Sequence, residues 1–128
     1  MTPVVVDASA LAAVVFGEPH AEAVVARLDG ATVFAPALLK FESINTAWKK
    51  VRRQPGDAVK IVTALSMALS DTANIIWRDV DPSGVALAAY ATGLTAHDAS
   101  YLWLAGSLGA DLVRLDARVA TASALLEI

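Results

Sequence analysis

No cysteine occurs among the 128 residues. That absence excludes disulfides, thiolate nucleophiles and zinc–sulfur centres together. No apolar run approaches the roughly 18 residues that a membrane span needs, so no membrane partner is expected. The opening residues, MTPVVVDAS, lack a basic segment and set Asp7 where a signal peptide needs apolar side chains. A cytoplasmic protein is the resulting expectation. Positive charge is scarce as well. The formal net charge is −3, whereas a simple electrostatic binder of nucleic acid is basic. The objection weakens if some of the acids hold metal ions, because bound cations reverse the local field. Loops of the GxGxxG and Walker types are missing, which argues against a nucleotide-binding enzyme. The two histidines, His20 and His97, have no paired spacing, and His97 reads as a surface residue or as an outer support of a neighbouring ligand.

What is present is apolar and patterned. Hydrophobic residues make up 56% of the chain and aromatics only 6%, so Ala, Val and Leu dominate the core. The length suits one domain, 1–128, without repeats or linkers. Val4-Val5-Val6 is a continuous β-branched run, the mark of a strand covered on both faces. Helical spacing follows from Ser9 until Gly17-Glu18-Pro19, then again over 21–28 until Asp29-Gly30. A second strand is expected at 32–35. Pro36 suits the first position of a helix running to about Arg53. Asp57 is placed to cap another helix, with Ile61, Leu65, Ala68 and Leu69 as its apolar stripe. Strands at 75–77 and 112–115 bracket helices over 83–92 and 95–108, each closed by a glycine. A last helix from Ala117 and a rudimentary fifth strand at 126–128 complete the prediction. Strands alternating with helices imply an α/β fold, a parallel sheet of four to five strands with helices on both faces.

Ligands bind such sheets beyond the carboxyl ends of the strands. Asp7 closes the first predicted strand and Asp116 the fourth, so both lie at that edge. Asp98 falls in the first turn of the helix that begins near Thr95, and a loop returning to the same edge would aim it into the same crevice. Glu42 lies within a helix near Leu38, Leu39 and Asn45, on an inward-looking face where a lone carboxylate is costly. Each acid also has a plainer use. Asp7 and Asp116 could cap the helices after them, Thr95-Ala96-His97-Asp98 matches a capping box, and Glu42 could pair with Lys49. Four such uses would all have to converge on one edge. The other nine acids, Glu18 among them, read as ordinary surface.

Carboxylates gathered without a positive partner repel. Two unit charges 5 Å apart cost about 3 kcal/mol at an effective dielectric near 20. A hard divalent cation relieves this, and all-oxygen donors favour Mg²⁺ or Mn²⁺ over zinc. Lys49, Lys50, Arg52 and Arg53 form a basic cluster at the end of the Glu42 helix. It could contact RNA, or could simply complement the helix dipole.

VVDASAL, FESIN, LTAHDASYLWLA and LVRLD, in that order, resemble the PIN-domain nucleases over essentially the whole chain. The small single-domain form is similar to the VapC-type toxins of toxin–antitoxin pairs. The resemblance maps the family's acidic quartet onto Asp7, Glu42, Asp98 and Asp116. It gives Ser9 a place supporting the metal shell and sets Asn45 one turn after the glutamate. Arg114 stands where family members often carry Thr or Ser, so it could pair with Asp116 or meet a phosphate. The resemblance implies a metal-dependent endoribonuclease, with Asp7 and Asp98 as principal ligands, Glu42 as a ligand directly or through water, and Asp116 as an outer ligand. It further implies an RNA substrate, a homodimer and a small antitoxin partner. The rival from another class is a catalytically silent RNA- or protein-binding module on the same scaffold. A receiver domain would need an early acidic pair and a lysine after the last strand, and the sequence has neither.

Overall fold

A computed structural model describes residues 2–70 and 73–115. Four strands, β1 (Pro3–Val6), β2 (Thr32–Pro36), β3 (Ile76–Arg78) and β4 (Asp111–Val113), form one sheet in the order β3-β2-β1-β4. Every pairing is parallel, with Val5 opposite Phe34 on one side and Leu112 on the other. Val4, Val5 and Val6 are all buried. Successive strand residues point to opposite faces, so both faces of the sheet are covered, as the unbroken β-branched run predicts.

The helices are α1 (Ala8–Val15), α2 (Ala21–Leu28), α3 (Leu38–Arg53), α4 (Ala58–Ala68), α5 (Pro82–Thr92) and α6 (Ala96–Leu108). Their ends carry recognisable stops. Asp81 caps α5 through a bond from the Gly84 amide, with Pro82 in the first turn. Gly93 and Gly109 close α5 and α6 in the left-handed conformation that glycine adopts without a Cβ clash. α6 lies along β1, β2 and β4 and packs against α5, while α1 touches α2, α3 and α4. The main core joins Val4–Val6 to Leu11, Leu39, Leu102, Leu104 and Val113, and a smaller cluster sets Ala47 against Ile61 and Leu65.

Two local expectations are corrected. Pro36 does not open α3; it is buried at the end of β2, opposite Arg78. The register of β2 with β1 stops at Phe34, so the missing amide of Pro36 costs no ladder bond there. Asp57 makes no capping bond, because a 3₁₀ turn at Pro55–Asp57 runs straight into α4. Its backbone, at φ −102° and ψ 10°, lacks the extended shape that lets a side chain reach back over the first turn. Asp116, the predicted last helix and the fifth strand lie outside the described residues.

Candidate active site

The chain enters the sheet at its centre, adds β2 and β3 on one side, and returns to add β4 on the other. The strand order therefore reverses between β1 and β4, the place where sheets of this kind open a crevice. Asp7 follows β1 there, with its amide donating to the Val113 carbonyl at 3.1 Å. Beside it a cleft of about 540 Å³ is lined by Asp7, Ser9, Glu42, Asp98 and Tyr101, with Glu18 and His20 also on its wall.

Asp7 is only 5% exposed. Its Oδ1 accepts from the Ala10 amide at 2.9 Å and from the Ser9 hydroxyl at 2.8 Å. The helix-cap reading of Asp7 thus holds, and the same carboxylate lines the cleft. Ser9 Oγ in turn accepts from the Leu115 amide at 3.0 Å, which ties the chain beyond β4 to the start of α1. Asp98 sits one turn into α6, half-buried, and its amide donates to Thr95 Oγ1 at 3.3 Å. Glu42 reaches the cleft from α3, where Leu39, Ser43 and Ala47 face the core and Glu42 and Thr46 occupy the margin.

Tyr101 joins these parts. It is 2% exposed, and its hydroxyl donates to Glu42 Oε1 at 2.6 Å, linking α6 to α3. Burial above all pushes its pKa well above the usual tyrosine range. The bond to Glu42 and the negative fields of Glu42, Asp7 and Asp98 push it further in the same direction. The phenol therefore stays protonated and acts as a donor, and three acids from three elements bear on one hydroxyl.

Other predicted residues fall elsewhere. Asn45 is exposed and does not line the cleft; Thr46, one position on, does, with its hydroxyl donating to the Glu42 carbonyl at 3.1 Å. Lys49, Arg52 and Arg53 are exposed around a separate shallow depression. Lys50 turns away from them, with its Nζ 3.5 Å from Glu18 Oε2 and 5.1 Å from the centre of the Phe16 ring. Glu18 is thus a cleft and ion-pair residue, not the ordinary surface acid expected. Arg114 Nη1 donates to the Leu112 carbonyl at 2.8 Å, while its buried Nε has no partner among the described residues.

Sequence reasoning missed Tyr101, Glu18 and His20 as cleft residues. Tyr101 stands three positions after Asp98 and so shares its helix face, a signal that was available. His20 offered none. It enters the cleft wall because its backbone takes φ 73° in the loop before α2, where a residue other than glycine is uncommon.

In kind, these donors fit a hard divalent cation, since carboxylate oxygens are what such ions take. Among the described residues no three carboxylates or imidazoles make a complete metal-holding group, and the fourth expected acid, Asp116, lies outside them.

No curated protein matches the sequence. Among solved structures, the chain is similar to the crystal structure of PAE2754 from Pyrobaculum aerophilum. The TM-score is 0.75 at 27% identity, over 95% of this chain and 86% of that one. The family model described as PIN domain matches residues 4–125, spanning all four strands and the cleft between them. The chain belongs to the PIN-domain family.

Proposed function

We propose that this protein is a divalent-metal-dependent endoribonuclease, the toxin of a toxin–antitoxin pair, which hydrolyses RNA phosphodiester bonds in the cleft beside Asp7. PIN domains are generally nucleases and typically use divalent metals. The observation that carries the reading is the meeting of Asp7, Glu42 and Asp98 along one cleft at the switch point of the sheet. These residues come from the ends or margins of three different elements. A protein that only needed helix caps would have no reason to bring Glu42 there from the second turn of α3.

Asp7 and Asp98 are the residues that would hold the cation, Mg²⁺ with Mn²⁺ able to substitute, and Asp116 is the proposed outer ligand. When bound, such an ion supplies Lewis acidity toward a phosphate oxygen and toward water. The chain's own residues supply the rest. Ser9 holds one oxygen of Asp7 and so fixes the direction of the other. Tyr101 fixes Glu42, whose remaining oxygen is available to orient water at the phosphate.

Cleavage of a single-stranded RNA by the pure protein, with Mg²⁺, with Mn²⁺ and with excess EDTA, tests the proposal. Activity is expected with either ion and none with the chelator. Undiminished cleavage in EDTA would remove the metal-dependent mechanism, and no cleavage under any condition would favour the silent binding module.

A further inference from the structure

We propose that the outer face of α3 is a binding surface for single-stranded RNA, where Phe41 and Trp48 stack against bases and Lys49, Arg52 and Arg53 meet phosphates. The inference rests on the nuclease reading above. Leu39, Ser43 and Ala47 turn one side of α3 to the core. Phe41, Asn45, Trp48 and Arg52, at helical spacing, share the opposite side within an arc of about 60°. All four are exposed, the two aromatic rings heavily so, Phe41 at 68% and Trp48 at 59%. Lys49 and Arg53 lie along the flank of this stripe that also holds Glu42, so rings, cations and a cleft acid follow one another on a single helix.

Charge decides what such a face takes. Five of the chain's ten Lys and Arg residues fall on α3 against a single acid, Glu42, in a chain whose net charge is −3. The cleft that α3 borders is lined by acids, with no Lys or Arg among the described residues of its wall. A polyanion entering it needs its positive contacts alongside. Exposed rings interleaved with cations suit a single strand of any sequence, since every base has a π-face. A second copy of this chain fits the same face less well. Two α3 faces related by a two-fold axis would set like charges side by side. The helix α5, whose Leu87 and Tyr90 are also exposed, has no charged residue from Pro82 to Thr92 to offset them. The simpler account is that single apolar residues on a surface are ordinary, and it predicts no effect of either ring on RNA.

The experiment is fluorescence anisotropy of a labelled oligouridine in EDTA, where no cleavage is expected, with the full chain and with Trp48→Ala and Phe41→Ala. Each substitution should weaken binding by about 5- to 150-fold, the usual effect of losing one base–aromatic stack. The loss should be the same at every salt concentration, because a ring neutralises no phosphate. Trp48→Tyr should keep most of the affinity and Trp48→Leu should not, since leucine has bulk without a π-face. The double substitution Leu87→Ala and Tyr90→Ala, on α5, should bind as the parent does. An affinity unchanged in Trp48→Ala, or kept by Trp48→Leu, would overturn the proposal, and so would an equal loss in the α5 variant. Sedimentation of Trp48→Ala at half the mass of the parent would also overturn it, by giving the face to a second copy. A parent that cuts RNA with Mg²⁺ but holds no oligomer in EDTA defeats this inference alone. A parent that neither binds nor cuts defeats the nuclease reading as well.

Discussion

Asp7 caps α1 and lines the cleft with one side chain, and substitution can separate the cap from the proposed catalytic role. Asparagine caps helices about as well as aspartate, whereas alanine cannot cap at all. Asp7→Asn can keep the bonds from the Ala10 amide and the Ser9 hydroxyl, so it should stay close to the parent in urea unfolding. Asp7→Ala should lose about 0.5–2 kcal/mol, the usual cost of a lost cap. Cleavage should fall by orders of magnitude in both. An Asp7→Asn variant that still cuts RNA would reduce Asp7 to a cap. Ser9 carries a second prediction. Its hydroxyl makes one bond to Asp7 and accepts one from Leu115, and each such bond is worth about 1 kcal/mol net. Ser9→Ala should therefore cost about 1–3 kcal/mol in the same unfolding measurement.

Helices set both the packing and the surface that RNA would meet. Gly84 in α5 lies against the indole of Trp103 in α6, and a Cβ added there would collide with it. Gly84→Ala should destabilise by about 1–3 kcal/mol, as overpacking does. Gly106 in α6 faces open space, so Gly106→Ala should stabilise by about 0.5–1 kcal/mol through helix propensity alone. Thermal unfolding of the two variants reads both signs. At the end of α3, Lys49, Arg52 and Arg53 are exposed while Lys50 is turned to Glu18. Replacing the three exposed residues by Ala should weaken RNA binding and flatten its salt dependence, by about 0.7 in log–log slope for each phosphate no longer neutralised. Lys50→Ala should leave the slope alone, and an unchanged slope in the triple variant would leave only the dipole role. These elements were mostly legible in the sequence, because helix and strand periods, glycine stops and the cap at Thr95 are local properties of the chain. Pro36 and Asp57 were misplaced because their roles depend on where β2 loses its β1 neighbour and on a 3₁₀ turn. The acids of the cleft were legible as strand-end and motif residues. Tyr101 was legible only as a residue on the Asp98 face of its helix, and its bond to Glu42, 59 positions away, leaves no mark in either segment.

At the scale of the whole molecule, partners and assembly come into view. Among the described residues no helix is long and apolar enough to cross a membrane. The proposed homodimer should sediment at twice the mass of the chain at micromolar concentration, and a monomer there would refute it. The proposed antitoxin should bring a Lys or Arg into the cleft, since acid walls favour a charge-assisted bond to a basic side chain. A complex that leaves Asp7 and Asp98 open to solvent would exclude inhibition by occupation. The central position of β1 adds a matter of timing. Val5 pairs on one side with Leu112, so the wall beside Asp7 closes only when β4 arrives. Contacts between such distant segments form slowly, because the loop between them must be closed before they yield any stabilisation. A chain still emerging from the ribosome, with Asp98 and β4 not yet made, has Asp7 but no cleft. Under the proposed function, cleavage of RNA waits until the segment that carries Asp98 and β4 has been made.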